Sequence, residues 1–285
     1  MSTIETCHNL SVDRLAGILH RVRVSARVFH TGPLAAPARF SDDMEGAGHL
    51  HVLRHGKLRL TDHGGNVHDI AAPAAILLAR PRPHDLCGLN GGADLACATV
   101  DLGGTANPLI RALPPILVMP LNDGGQGSQL AAILDLLFVE ANQRHCGHQV
   151  IMDRLAEAAI VHILRQSMDT PSGLGLLAGL AHPHLALALT AMHDNPERDW
   201  TLETLADSAG LSRSVFAETF HQVVGQPPGQ YLSGWRMLLA RAALERGTSL
   251  KRVAQEVGYA SPAALSRAFS RHFGASARDL LKAGR

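Results

Sequence analysis

The sequence predicts an α+β protein with a β-barrel in front, a helical segment behind it and an all-α domain of paired helix-turn-helix modules at the end. Three observations predict this order. Between residues 22 and 102 short apolar runs stand between turn residues, as strands do. From Ser128 the apolar period lengthens to that of amphipathic helices. Near the C-terminus, the stretches from Thr201 to Gly225 and from Ser249 to Gly274 form an internal repeat.

Taken in order, residues 9–20 (NLSVDRLAGILH) read as a short helix with apolar positions at 10, 12, 15, 18 and 19. Val22, Val24, Ala26 and Val28 then alternate with Arg21, Arg23, Ser25 and Arg27, the period of a half-buried strand. Further strands are predicted at 49–55, 57–60, 67–70, 74–79 and 95–102, separated by Gly56, residues 62–66, Pro73, residues 81–83 and residues 88–92. Short strands at this spacing predict a sandwich or small barrel. His49, His51 and His55 share one strand parity, and His84 stands near the end of a later strand. Cys87 and Cys97 flank the glycine-rich stretch LNGGADLA, which would set them opposite one another across a hairpin.

In the middle, SQLAAILDLLFVEANQRH and VIMDRLAEAAIVHILRQSM read as two amphipathic helices broken at Cys146 and Gly147. Residues 169–179, rich in Pro and Gly, read as a linker. A helix from about residue 183 to 193 opens the last domain, with Pro183 suited to a first turn.

The repeat carries the most specific signal. In each copy a short helix ends at glycine, Gly210 or Gly258, and a serine-containing turn starts a second helix. Ala206 and Ala254 are small where two helices cross closely. Phe216 with Phe220, and Leu265 with Phe269, are four apart and anchor one face of each second helix to a core. The opposite faces stay free for a DNA major groove.

With these residues in place, the region from about 182 to 282 resembles the DNA-binding domain of the AraC/XylS family of transcription regulators. Gly225, Pro228, Tyr231, Leu232, Trp235, Arg236 and Ala240 match the family pattern in the first module and joining helix. Ala254, Gly258, Tyr259, Ser261, Arg267, Phe269 and Gly274 match it in the second. The resemblance implies base-facing roles for Ser214, Ala217, Glu218, Ala263, Ser266 and Arg267, and phosphate contacts for Arg213, His221 and Arg271. Glu218 and His221 stand where basic residues are common, which turns base preference toward a cytosine amino group. The tail from Ser276 to Leu281 departs from the family's usual ending, so the last helix is expected to dock differently.

The front of the chain, about residues 10–105, resembles the cupin-like β-barrel that serves many of these regulators as a sensor. His51 with Gly56, and His84 after Pro81 and Pro83, occupy its motif positions. By that resemblance His49, His51 and His84 converge inside the barrel to hold a divalent metal or clasp a ligand. A plainer role also fits, in which His51 and His84 hydrogen-bond strands together while His49 and His55 face water. No Glu follows the His pair, so the usual carboxylate ligand is missing. Some relatives of this subgroup resemble oxidant sensors, which implies a redox role for Cys87 and Cys97; equally, Cys97 fits an apolar strand as a small core residue. The two middle helices either form a dimer surface, as the resemblance implies, or cover the barrel.

Composition agrees with this division. With 285 residues and 46% hydrophobic content, the chain can bury one or two cores. Four parts are expected: a sensor domain at 1–120, a helical dimerisation segment at 121–168, a linker at 169–181 and the DNA-binding domain at 182–285. From residue 182 onward 12 Lys and Arg face 9 Asp and Glu, a mildly basic balance that permits DNA binding. Four cysteines without CxxC spacing argue against structural disulfides. No run of 18 apolar residues or signal-peptide pattern is present, so a soluble, cytoplasmic protein without membrane contact is expected. The expected partners are double-stranded DNA, a second copy of the chain, a small-molecule effector and, for an activator, RNA polymerase. A metal-dependent cupin enzyme is the competing reading, and it leaves the tandem modules unexplained.

Overall fold

The computed structural model describes residues 13–41, 47–104, 107–121, 126–169, 174–274 and 276–277. Cys7, the start of the helix expected at 9–20 and the C-terminal stretch from residue 278 lie outside them. Within the described residues that helix is only α1 (Ala16–Leu19), which begins after a turn where the Asp13 carboxylate accepts from the Leu15 and Ala16 N–H groups.

Among the described residues the strands are β1 (Ser25–Pro33), β2 (Ala38–Phe40), β3 (Gly48–Asp62), β4 (Val67–Ala71), β5 (Ala74–Leu78), β6 (His84–Asp101) and β7 (Leu117–Pro120). They form one antiparallel sheet in the order β1-β6-β3-β5-β7, with β2 paired to β6 and β4 to β3. The predicted alternation at residues 22–28 holds, since Val22, Ala26 and Val28 are buried while Arg21, Arg23 and Arg27 are exposed.

Two expected breaks are continuous strand. Residues 49–55 and 57–60 belong to one strand, β3, and the glycine-rich stretch at 88–92 lies inside β6. Between the pairs Gly56 with Ala93 and Lys57 with Leu89 the register shifts, so Asn90, Gly91 and Gly92 are absorbed as an irregularity. All three have positive φ, as does Gly56. A long antiparallel pair takes up extra residues as bulges, which bend it without ending it. β2 and β7, three and four residues long, were not anticipated because so short a run shows no period.

The sheet has an apolar cluster on each face. Leu50, Val52, Ala96 and Ala98 pack toward the helices, whereas Leu53, Leu58, Leu60, Ile76, Leu86 and Leu95 fill the curled interior. Helix α2 (Pro108–Ala112) is capped by the Asn107 side chain, which accepts from the Leu109 N–H at 3.0 Å. Helices α3 (Gln126–Gln143) and α4 (His148–Asp169) follow the predicted pair, with Gly147 at φ 87° in the break. Asp153 of α4 accepts from the Val28 N–H, which seats the helix on the edge strand β1.

Part of the expected linker is structured. Residues 176–181 form α5 (Leu176–Ala181), with Leu176, Leu177 and Leu180 buried, because three leucines supply the anchors that Pro and Gly lack. Then come α6 (Leu185–Asp194), α7 (Leu202–Ala209), α8 (Arg213–Val224), α9 (Pro228–Glu245), α10 (Leu250–Glu256) and α11 (Pro262–Phe273).

Each cap read from the repeat has its physical counterpart. Thr201 forms a capping box with Thr204, and Ser212, Ser249 and Ser261 accept N–H bonds at their helix starts. Gly210 closes α7 in the left-handed region, at φ 65° and ψ 34°. Ala206, Ala254, Phe216, Phe220, Leu265 and Phe269 are buried. Tyr231 and Trp235 of α9 are buried as well, and each large buried side chain contributes roughly 1.5–3 kcal/mol. Helix α9 is therefore the shared spine against which α8 and α11 both pack.

The front domain is tied to this helical part. Arg14 donates to the Leu180 carbonyl at 2.9 Å, Arg21 to the Asp194 carbonyl, and the Gly175 N–H to the Val223 carbonyl at 2.9 Å.

Candidate functional site

The serine caps start α8 and α11, and the buried aromatics then set which face each helix turns outward. In α8, Phe216 and Phe220 point inward, so Arg213, Ser214, Glu218 and His221 are exposed and Ala217 is half-buried. In α11, Leu265 and Phe269 do the same, leaving Ala263, Arg267 and Arg271 exposed and Ser266 half-buried. None of the nine residues expected to contact DNA is buried. Among the described residues, Arg213, Arg267 and Arg271 form no ion pair with a carboxylate. Glu218 accepts a hydrogen bond from Gln222, 3.2 Å away, which holds its carboxylate along the helix.

The sequence reading missed Val215. It is 48% exposed beside Ser214, where an apolar side chain can meet a thymine methyl. The signal was available, since position 215 falls outside the spacing that carries Phe216 and Phe220 inward.

The second constellation lies inside the barrel. His49, His51 and His84 are all buried, with ring centroids 5.1–5.7 Å apart. Phe40 of β2 stacks on His84 at 4.7 Å. His55, beyond the shift in β3, is exposed. The protons along this cluster follow from its partners. His84 Nδ1 lies 2.8 Å from the Arg82 carbonyl, which only accepts, so Nδ1 carries the proton and Nε2 is bare. His51 Nε2, 2.9 Å away, must then donate to it. That leaves His51 Nδ1 as the acceptor for the Cys97 thiol at 3.1 Å.

Burial supports these neutral states. It is the main cause that lowers all three imidazoles, His49 to about 4 and His51 well below its ordinary value, with the neighbouring His84 adding to both. Burial also pushes the Cys97 thiol up to about 12. Both nitrogens of His49 lack a hydrogen-bond partner, and its buried ring packs edge-on against Phe29, Phe40 and His84 and not against water.

A divalent metal does not fit this arrangement. His51 spends both nitrogens on Cys97 and His84, and His84 spends both on His51 and Arg82. Among the described residues no group of three or more His, Cys, Asp or Glu is arranged to hold a metal ion. Cys87 and Cys97 do not face one another either. They lie on the single strand β6, opposite Arg59 and His51 of β3. The expected hairpin is absent because the glycines between them bulge instead of turning. Cys87, Cys97 and Cys146 are free thiols.

A cupin family model matches residues 13–169 and a helix-turn-helix domain model matches residues 205–283. A putative AraC-like transcription regulator of Streptomyces antibioticus is 32% identical over 75% of this chain and 80% of its own length. The chain belongs to the AraC-like family of transcription regulators. Another putative member, from Streptomyces lividans, is 40% identical over 61% of this chain, a match spanning 58% of that relative's length. RclR of Escherichia coli K12, an RCS-specific HTH-type transcriptional activator, is 27% identical over 80% of the chain and 84% of its own length. The regulator thus pairs a cupin domain with a helix-turn-helix domain, and among the described residues no helix is long and apolar enough to cross a membrane.

Proposed function

We propose that this regulator binds duplex DNA sequence-specifically through α8 and α11 and that the cupin domain adjusts this binding in response to a signal. The observation that carries the reading is the pair of capped helices packed on one spine, α9, each turning a polar, solvent-facing side outward. Two such helices in one chain can enter successive major-groove segments about 34 Å apart. Arg267 serves as the principal base reader, because a guanidinium holds guanine through two hydrogen bonds. Arg213, His221 and Arg271 serve as phosphate contacts.

The signal enters at the barrel. His49 supplies two unpaired ring nitrogens beside Phe40 and His84, a setting for a small organic ligand with polar and flat apolar parts. The contacts of Arg14, Arg21 and Gly175 link such an event to α5, α6 and α8, the helices that carry the first reading module. A ligand acts on DNA affinity only by favouring one arrangement of the two domains over the other. Helices α3 and α4 expose Leu136, Val139, Val150 and Ile151, a surface suited to a second copy of the chain. The regulator works in the cytoplasm beside the chromosome, and if it activates transcription it engages RNA polymerase there.

Titration of the full chain against duplex from the promoter next to its own gene tests the reading. Binding should weaken steeply with added salt, and specific competitor should displace the probe better than random duplex. Equal displacement by both, or no binding at low salt, would refute it.

A further inference from the structure

Where the two domains meet there is an open cleft of about 590 Å³. The sensor contributes Arg111 of α2, the first reading helix contributes His221 at its C-terminal end, and the second contributes His272. Its floor is α9, with Gln230 and Trp235. None of its described lining residues is acidic. A cleft bordered by one fixed guanidinium and two imidazole donors, with no carboxylate to oppose them, favours an anion over a cation.

Two further features border the cleft. Helix α9 is 18 residues long, and its N-terminus opens on the cleft at Gln226 and Pro227 with no side-chain cap. Its first backbone N–H groups therefore keep their positive end available to an anion. Trp235 lines the same cleft, is fully buried, and its indole N–H has no hydrogen-bond partner. A buried donor without a partner is unfavourable, so an acceptor brought to it is favoured. Arg111 and His272 border the cleft together, and burial first and that guanidinium second lower the imidazole, which keeps it a neutral donor.

We propose that this interdomain cleft is a seat for an anion, a carboxylate or phosphate group held between Arg111 of the sensor and the histidines of the reading helices. An occupant there touches both domains at once, so it sets their relative position without entering the barrel. This site is distinct from the His49 setting, which lies within the sheet. Two sources can supply the group: a free small molecule, or the DNA backbone where it passes between the two reading helices.

The test uses the full chain and inorganic phosphate or citrate as probes. Isothermal titration, with sodium chloride matched in ionic strength as the reference, should show saturable binding of one anion per chain. Both side chains, Arg111 and His272, are exposed. Arg111→Ala should weaken binding at least about tenfold, the effect of roughly one lost charged contact, and His272→Ala, which removes a neutral donor, by a smaller factor. Circular dichroism confirms that the variants fold. No saturation, binding matched by chloride, or affinity unchanged in both variants would overturn the proposal. Adding specific duplex then separates the sources. Displacement of the bound anion assigns the seat to a DNA phosphate, and retention assigns it to a free ligand. The anion titration itself contains no DNA, so it can fail while the DNA-binding reading stands, and the reverse.

Discussion

The Nε2 atoms of His51 and His84 lie 2.9 Å apart, and one bare nitrogen must face one protonated nitrogen across that gap. The Arg82 carbonyl decides which is which, because it forces the proton of His84 onto Nδ1. A second proton on either ring would set two donors against each other, inside a site whose burial already favours the neutral form.

The regulator should be acid-labile in both domains, at His49 of the sensor and at His193 of the helical domain. Unfolded histidines take up a proton near pH 6.5, whereas His49 does so only near 4 in the fold, and His193, buried in α6, near 3. Between those values the unfolded chain binds more protons, so stability is fully present above about pH 6.5 and is lost as pH falls toward 4. Melting temperatures recorded from about pH 7 to about pH 4.5 should decline steadily. A flat or rising profile would contradict the buried neutral assignment.

Cys97 should behave as a hydrogen-bond donor and not as a reactive thiol. With its pKa near 12 it is almost entirely protonated at neutral pH, so thiol reagents should label exposed Cys146 first and Cys97 only on unfolding. Cys97→Ala leaves His51 Nδ1 without a partner and should cost about 1–3 kcal/mol in denaturant titrations, while Cys97→Ser keeps the donor and should cost less. Equal costs, or rapid labelling of Cys97 in the native protein, would remove this role.

Gly258 and Gly210 occupy matching places in the repeat, yet alanine should affect them unequally. At Gly210, φ is 65° and an added Cβ meets nothing within 4 Å, so the penalty is the backbone strain of roughly 1–2 kcal/mol. At Gly258, φ is 74° and the Cβ would stand 2.6 Å from the Glu197 carbonyl oxygen and 2.9 Å from Arg236 Nη2. Arg236 also donates to the Pro196 and Arg198 carbonyls, which prevents it from yielding. Gly258→Ala should therefore destabilise the regulator more than Gly210→Ala, as read from urea midpoints.

Arg267→Ala separates reading from holding. As a base reader, its loss should reduce discrimination at one base position by about 1–3 kcal/mol while binding to other sequences changes little. A uniform loss across all sequences, with a shallower salt dependence, would make it a phosphate contact instead.

Helices α3 and α4 should hold two copies together. Sedimentation at micromolar concentration is expected to show a dimer for the wild type and a monomer for a Val150→Glu, Ile151→Glu double variant. A wild-type monomer with and without DNA would end that reading.

The reading domain was legible from residues alone because its determinants are local. A serine cap acts within three residues, a glycine ends a helix by its own φ, and the Phe216 and Phe220 spacing defines a face within one turn. These interactions need no knowledge of what lies elsewhere in the chain, so α7, α8, α10 and α11 appear where the repeat placed them.

The sheet was legible only as a class. Its alternation marked strands, but whether Gly56 and residues 90–92 turned or bulged depended on the partner strand, and pairing merged 49–55 with 57–60 into β3, extended 95–102 back to His84 as β6 and added the short β2 and β7. The meeting of His51 with Cys97, 46 positions away, and with His84 is likewise a product of register. So is the cleft that joins Arg111 to His272. Short-range capping and periodicity are written into neighbouring residues, whereas proton order, cysteine separation and the charge of a domain junction arise only when distant segments are packed into contact.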